Sequence, residues 1–383
     1  MIRATDVDAG TIRTGSFLRV DPEALPPDRN PYLKAGEIIV VRSGAYTGDS
    51  AIVPSALEGA VAGYDMVVTV TRASSRFVAH SLLSKYVLED QIDLLTLRAA
   101  QPHLNAEELG SIVLAIPQMR QEQQRVAAYL DASCAAIDAA VAAKRCQLET
   151  LDALRKSTIK RAVVMGLNPS VKTQRTDVEW IPEMPQHWRL VRVKDVMEFS
   201  NTVRVPLSAA DRGVMTEKTY DYYGASGVID KVEAYLFDGT YILIAEDGAN
   251  LLTRSKTLAF LATGKFWVNN HAHILKPRWG GDDIFFVNLL ESQDFSLFVT
   301  GAAQPKLTME NLGRFKLAVP RVAEQREIAA FIQKNDAEFR PLLSQIEHQI
   351  ATLTAYRKSL IHECVTGQRR ISADDVNRAN ATR

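Results

Sequence analysis

Two long stretches of the chain carry apolar residues at steps of three, four or seven. In the second half these are Ile332, Phe339, Leu343, Ile346, Ile350, Leu353 and Leu360, followed by Cys364. Leu130, Ile137, Val141, Leu148 and Leu151 stand at equivalent places in the first half. Such spacing keeps one stripe of a helix apolar, as in the a/d seam of a coiled coil. A helix from residue 122 to about residue 165 would be on the order of 65 Å long, more than its own domain can cover. The pattern therefore predicts two long antiparallel helices that bury their stripes against each other. Lys144, Arg155 and Arg357 interrupt the stripes, either as chains that reach out to solvent or as polar residues that fix register.

Ahead of each helical stretch the pattern changes. "GEIIVVRSGAYTGDSAIV" (36–53) and "DMVVTV" (65–70) are β-branched runs bounded by glycine, and "GTYILIAEDGAN" with "AHILKP" plays the same part in the second half. Gly36 and Gly44 align with Gly239 and Gly248 once a one-residue insertion is allowed. The junction "QPHLNAEELGSIVLAIP" (101–117) returns as "QPKLTMENLGRFKLAVP" (304–320), with more than half the positions identical. The chain is thus an internal repeat, each copy a mixed α+β domain followed by a long helix. "GLNPSVKTQRTDVEWIPEMPQHW" (166–188), with three prolines and no period, reads as a crossing linker, and the polar end of the chain as a frayed tail. The expected boundaries are 1–117 for the first domain, 118–168 for its helix, 169–186 for the linker, 187–320 for the second domain, 321–368 for its helix and 369–383 for the tail. The first copy has no counterpart to residues 187–221, so the first domain is expected to lack an N-terminal part.

Several ordered segments resemble one family. "IPQMRQEQQRVAAYLD", "LRKSTIKRAVVMGLNPSVK", "VEWIPEMPQHWRL" and "VPRVAEQREIAAFI" are similar to the specificity subunit of type I restriction-modification systems, over about residues 1–370. The resemblance implies an α+β fold of two mixed α/β target recognition domains separated by two antiparallel coiled-coil helices, with an internal pseudo-twofold repeat. It also implies a non-catalytic reader of double-stranded DNA. Each domain would read one half of a bipartite target, with the helices as ruler between them. Two modification (methyltransferase) subunits would dock on this scaffold, and restriction and motor subunits would join for cleavage.

Composition narrows the rest. A chain of 383 residues, 46% hydrophobic and 23% charged, is long enough for two or three ordinary cores. Lys plus Arg (45) equals Asp plus Glu (45), so there is no global basic field, and phosphate grip falls to a local patch or to a partner. Cys134, Cys146 and Cys364 form no CxxC pair, against both a disulfide framework and a zinc site. No run approaches the roughly 18–20 apolar residues of a membrane span, and "MIRATDVDAG" has no apolar leader segment. A cytoplasmic protein without membrane attachment is expected.

Catalytic motifs fail one by one. "RNPYLK" (29–34) lacks the second proline of a base-flipping methyltransferase motif, and "LATGKFW" lacks both the first glycine and the hydroxyl of a phosphate-binding loop. His271 and His273 alternate like strand residues, with no carboxylate or thiol at ligand spacing, and read as structural or DNA-facing residues. No catalytic residue, metal or cofactor is expected. DNA reading asks for donors and acceptors on loops. The first domain offers Arg42, Ser43, Tyr46 and Thr47, and the second Asn250, Arg254, Ser255, Lys256, Lys265, Asn269, Asn270 and His271. In the repeated junction, Gln101, His103, Gln304 and Lys306 are open to the same role. Asn105 and Thr308 read as helix caps, with Glu107, Glu108 and Glu310 in the first turns. The alternative is a coiled-coil adaptor or peptide-binding scaffold without DNA specificity.

Overall fold

The computed structural model describes residues 1–15, 17–25, 31–96, 102–301 and 303–381, and the chain divides into two compact units. The first is Met1–Leu148 with Gln345–Arg383, and the second is Glu149–Ser344. The long helices, Arg120–Met165 and Val322–Val365, each contribute to both units.

In the first unit, Ile38–Val40 is the central strand of an antiparallel sheet, with Ser50–Ile52 on one side and Met66–Val68 on the other. Ile38 and Val40 face the helix Ser75–Leu82, whereas Ile39 and Val41 face a second cluster with Ile2, Val7 and Leu33. Burial on both faces explains why the strand reads as an unbroken apolar run instead of alternating. The second unit repeats the arrangement around Tyr241–Ala245, which lies between Ala259–Ala262 and Ala272–Pro277. Again Ile242 and Ile244 enter one core and Leu243 another.

The second unit has more than the first. Met197–Phe199 adds a fourth strand beside Ala272–Pro277, and Arg189–Arg192 pairs with Lys316–Val319 at the end of the repeated junction. A further sheet holds Gly227–Val232, Tyr220–Gly224, Lys265–Val268 and Phe237–Asp238. In the first unit the residues matching Lys316–Val319 form no strand among the described residues, and Val113 and Ile116 are exposed.

The helices meet antiparallel in each unit. Leu130, Cys134, Ile137 and Val141 pack with Leu360, Ile361, Cys364 and Val365, with Ile350 and Leu353 against the cluster. In the second unit Ile159, Ala162 and Val163 share a core with Ile328 and Ile332. Ile346 is buried, and Leu148, Leu151, Phe339 and Leu343 are half-buried. The charged interruptions find partners. Arg357 Nε lies 2.9 Å from Asp138 Oδ1, Arg155 Nη1 donates to Asp336 Oδ1 at 2.8 Å, and Lys144 bonds Gln147 on its own helix. Exposed or half-exposed ion pairs of this kind contribute only ~0–1 kcal/mol each, so they select register while the apolar seam supplies the stability.

Three expectations need correction. The supposed linker at 169–186 is folded. Thr173–Val178 and Ile181–Pro185 form a hairpin, and Ile181, Met184 and the following Trp188 are buried in the core of the second unit. Trp180 donates its indole N–H to the Lys316 carbonyl at 3.1 Å and stacks on Phe315, so the tryptophans were anchors in a segment whose prolines suggested none. The tail is likewise folded in part. Ala373–Ala381 is a helix entered through a reciprocal Ser372–Asp375 cap, with Ile371 buried and Arg369 over the Tyr129 ring. Finally, part of Arg120–Met165 is long and apolar enough, by length and composition alone, for a membrane span. Its many alanines raise its mean hydropathy, and its larger apolar residues are occupied by the second helix.

The entry of each long helix is fixed by a glutamine. Gln123 donates to the Pro117 carbonyl at 2.8 Å and accepts from the Ser74 amide at 2.8 Å. Gln325 does the same with the Pro320 carbonyl at 3.0 Å and the Asp282 amide at 3.1 Å. Ser74 and Asp282 are the N-cap residues of the domain helices Ser75–Leu82 and Asp283–Glu291. One buried side chain therefore ties each long helix to its own domain.

Candidate nucleic-acid interface

Each central strand runs into a loop, and the repeated junction pins that loop. In the first unit, Gly44 N donates to Pro102 O at 3.2 Å and Leu104 N to Arg42 O at 2.8 Å, so Ser43 bridges to His103. In the second, Gly248 N donates to Pro305 O at 3.0 Å and Leu307 N to Glu246 O at 2.8 Å, so Asp247 bridges to Lys306. Gly44 and Gly248 have φ of 92° and 101°, a conformation that favours glycine at both turns. The proline of each junction has no N–H to give and supplies only its carbonyl. Immediately after it, Asn105 caps Ala106–Gly110 in a reciprocal box with Glu108, and Thr308 caps Met309–Arg314.

The matched backbone makes side-chain positions comparable. Arg42, Ser43 and His103 in the first unit correspond to Glu246, Asp247 and Lys306 in the second. The strand registers Val40 with Met66 and Ile244 with His273, so Tyr64 corresponds to His271. In the first set Arg42 lies over the Tyr64 ring at 5.2 Å, and Tyr64 and Tyr46 are 79% and 57% exposed. The nearby Asp65 accepts from the Arg42 backbone amide at 3.1 Å. Burial pushes the Asp65 carboxyl above its usual range. The Thr47 hydroxyl is used internally, donating to Gly44 O at 2.7 Å and Pro102 O at 3.1 Å. Gln101 lies outside the described residues.

In the second set His271 Nδ1 lies 2.9 Å from both Asp247 carboxylate oxygens. Below them a buried network supports the loop. Arg204 donates to Glu246 Oε2 at 2.6 Å and to Ala272 O at 2.7 Å, and Lys306 Nζ lies 3.2 Å from Glu246 Oε1. Burial is the largest single influence and would raise the Glu246 carboxyl, but the groups around it, Arg204 first and Lys306 among them, together outweigh it and leave Glu246 below the ordinary range. The fully buried His273 lies 2.7 Å from Leu307 O through Nε2, which must then carry the proton, so Nδ1 accepts from Asn201 at 2.7 Å. Burial lowers its pKa and keeps the ring neutral. The carboxylates that the sequence failed to place near His271 and His273 come from the loop that follows the adjacent strand Tyr241–Ala245. Among the described residues no group of side chains could hold a metal ion.

Other candidates separate from this set. Asn250 closes its own loop, accepting from Lys256 N at 2.8 Å and donating to Lys256 O at 3.1 Å. Lys256 is exposed, and Ser255 turns its hydroxyl toward Thr253 and Asn250. Arg254, at φ 51°, turns its guanidinium to the carboxylate and carbonyl of Glu291. Asn269 is buried and shapes the turn by accepting from His271 N at 2.8 Å. Asn270 and Gln304 are exposed beside that turn and the junction respectively. Lys265 begins the strand that ends before Asn269 and lies over the Tyr235 ring at 4.6 Å, away from the loop. Tyr64, Asn201, Arg204 and Glu246 were missed because strand pairing and a distant loop, not sequence spacing, bring them here.

Comparison with known proteins gives this geometry a family. The chain matches the family described as "Type I restriction modification DNA specificity domain" over residues 17–149 and again over 185–352. A putative type I restriction enzyme specificity subunit, S.HindORF215P of Haemophilus influenzae, is 30% identical over 157 residues, which is 41% of this chain and 37% of that protein. The type I restriction enzyme EcoprrI specificity subunit of Escherichia coli is 28% identical over 124 residues, 31% of this chain and 29% of its own length. Each alignment thus spans well under half of the relative. A solved chain from work on complex assembly and conformational transition of the type I R-M system is similar in fold, with a TM-score of 0.72 and 15% identity over 96% of this chain and 91% of that one. With both halves of the repeat matched by the same family, the chain belongs to the type I restriction-modification DNA specificity domain family.

Proposed function

We propose that this chain is the DNA sequence-specificity subunit of a type I restriction-modification complex and performs no catalysis itself. Residues 1–117 and 187–320 are the two readers of a bipartite duplex target, and the helices in 118–168 and 321–368 set the spacing between half-sites. The observation that supports this best is the pair of loops at 42–49 and 246–250. The repeated Q-P-x-L junction pins both backbones identically while their side chains differ. A common frame with exchanged polar groups is what two readers of two different half-sites require.

The net charge of +0 fits a division of labour in which two modification subunits supply much of the phosphate contact, and restriction and motor subunits join for cleavage. The complex acts in the cytoplasm, where the DNA is. Alone, the chain should bind DNA weakly and lose affinity steeply with salt. A mobility-shift assay with and without the modification subunit tests this reading. Sequence-selective binding that requires the partner is expected, and binding that stays indifferent to sequence in its presence contradicts the reading.

A further inference from the structure

The two pinned loops differ in chemical sense. In the first, Arg42 has no ion pair and no side-chain hydrogen bond among the described residues, and its guanidinium is held on the face of Tyr64. Ser43 and His103, paired through their backbones, are exposed. The adjacent acid Asp65 is engaged by the Arg42 amide. This loop presents donors around one guanidinium fork, a geometry that matches the two acceptors on a guanine edge.

In the second, the corresponding positions carry the opposite sense. Asp247 carries a carboxylate whose side chain is 16% exposed at this edge and whose only hydrogen-bond partner among the described residues is His271, itself about half exposed. Lys306, the counterpart of His103, is turned onto Glu246 and away from the role of a free cation. A carboxylate at this edge accepts hydrogen bonds from an exocyclic amino group, as on cytosine or adenine. The Arg204–Glu246 pair beneath it fixes the backbone from which Asp247 projects.

We infer that Arg42 with Tyr64 and Asp247 with His271 are the equivalent specificity-determining positions of the two readers. The first selects a guanine in one half-site and the second an amino-bearing base in the other. This rests on the DNA-specificity reading above and assigns the residues and base classes within it.

The test uses the chain in complex with the modification subunits of its own system, presented with a randomised duplex library, and sequences the retained DNA. The unaltered complex should enrich a two-part site containing a guanine in one half and cytosine or adenine in the other. Arg42→Ala should reduce the guanine preference roughly tenfold or more, the size of one bidentate base contact, and leave the other half unchanged. Arg42→Lys should keep most of the affinity while losing that preference, which separates base reading from phosphate attraction. Asp247→Ala should relax only the second half. If the unaltered complex enriches a two-part site and these variants leave both halves as they were, the assignment is overturned while the specificity reading stands. If the unaltered complex enriches no sequence, the specificity reading itself fails. Melting of each variant within a few degrees of the parent confirms that the fold is retained.

Discussion

Gln123 and Gln325 carry more of the architecture than their exposed neighbours. Each is 4% exposed and satisfies a proline carbonyl and a helix N-cap amide with one side chain. Replacing either with Ala leaves both backbone groups without their partner, at a cost of about 1–3 kcal/mol. Chemical denaturation of Gln325→Ala should show that loss, and an unchanged midpoint would mean the clamp is dispensable. The "EQ" in the first turn of each long helix was visible in the sequence as part of a resemblance, but its physical role was not. One hydrogen bond goes to a carbonyl five or six residues back, and the other reaches an amide more than forty residues away. The same limit hid the loop partners of His271 and His273, since period and spacing report neighbours along an element and not across a sheet.

At the scale of elements, the long helices were the most legible part, because an apolar stripe repeated through many turns fits little besides a helix paired along its length. Their two faces are not alike, however. Pro341 lies inside Val322–Val365 at an exposed position, where a proline forfeits a backbone hydrogen bond without entering the seam. Leu353 packs against the seam, and Leu148 is half-buried in the partner helix. Leu353→Pro should cost ~3 kcal/mol or more. The matching loss of helical circular dichroism and of a single preferred half-site spacing are the readouts. A variant with unchanged assembly and spacing would refute a measuring role for the helices. The hairpin after the first helix was misread for a definable reason. Composition weighted its prolines, whereas Trp180 and Trp188 decide its fate by what they reach. The apolar run to Pro320 forms a strand against Arg189–Arg192, whereas the matching run to Pro117 has no such paired neighbour among the described residues and forms none.

For the whole molecule, the repeat is the main fact, and the asymmetry of its copies is the second. Two domains of one design, two helices of one pattern and two junctions of one sequence describe a protein that presents the same frame twice. Reading the repeat located the frame correctly. It left open what each frame displays, because the matched main-chain bonds of the two junctions hold the loops whichever side chains they carry. Methylome sequencing of a cell carrying the complete system tests the central claim most directly. The account predicts one bipartite motif, two specified halves separated by an unspecified gap of a single length. A contiguous motif, or two halves found at many separations, would contradict it.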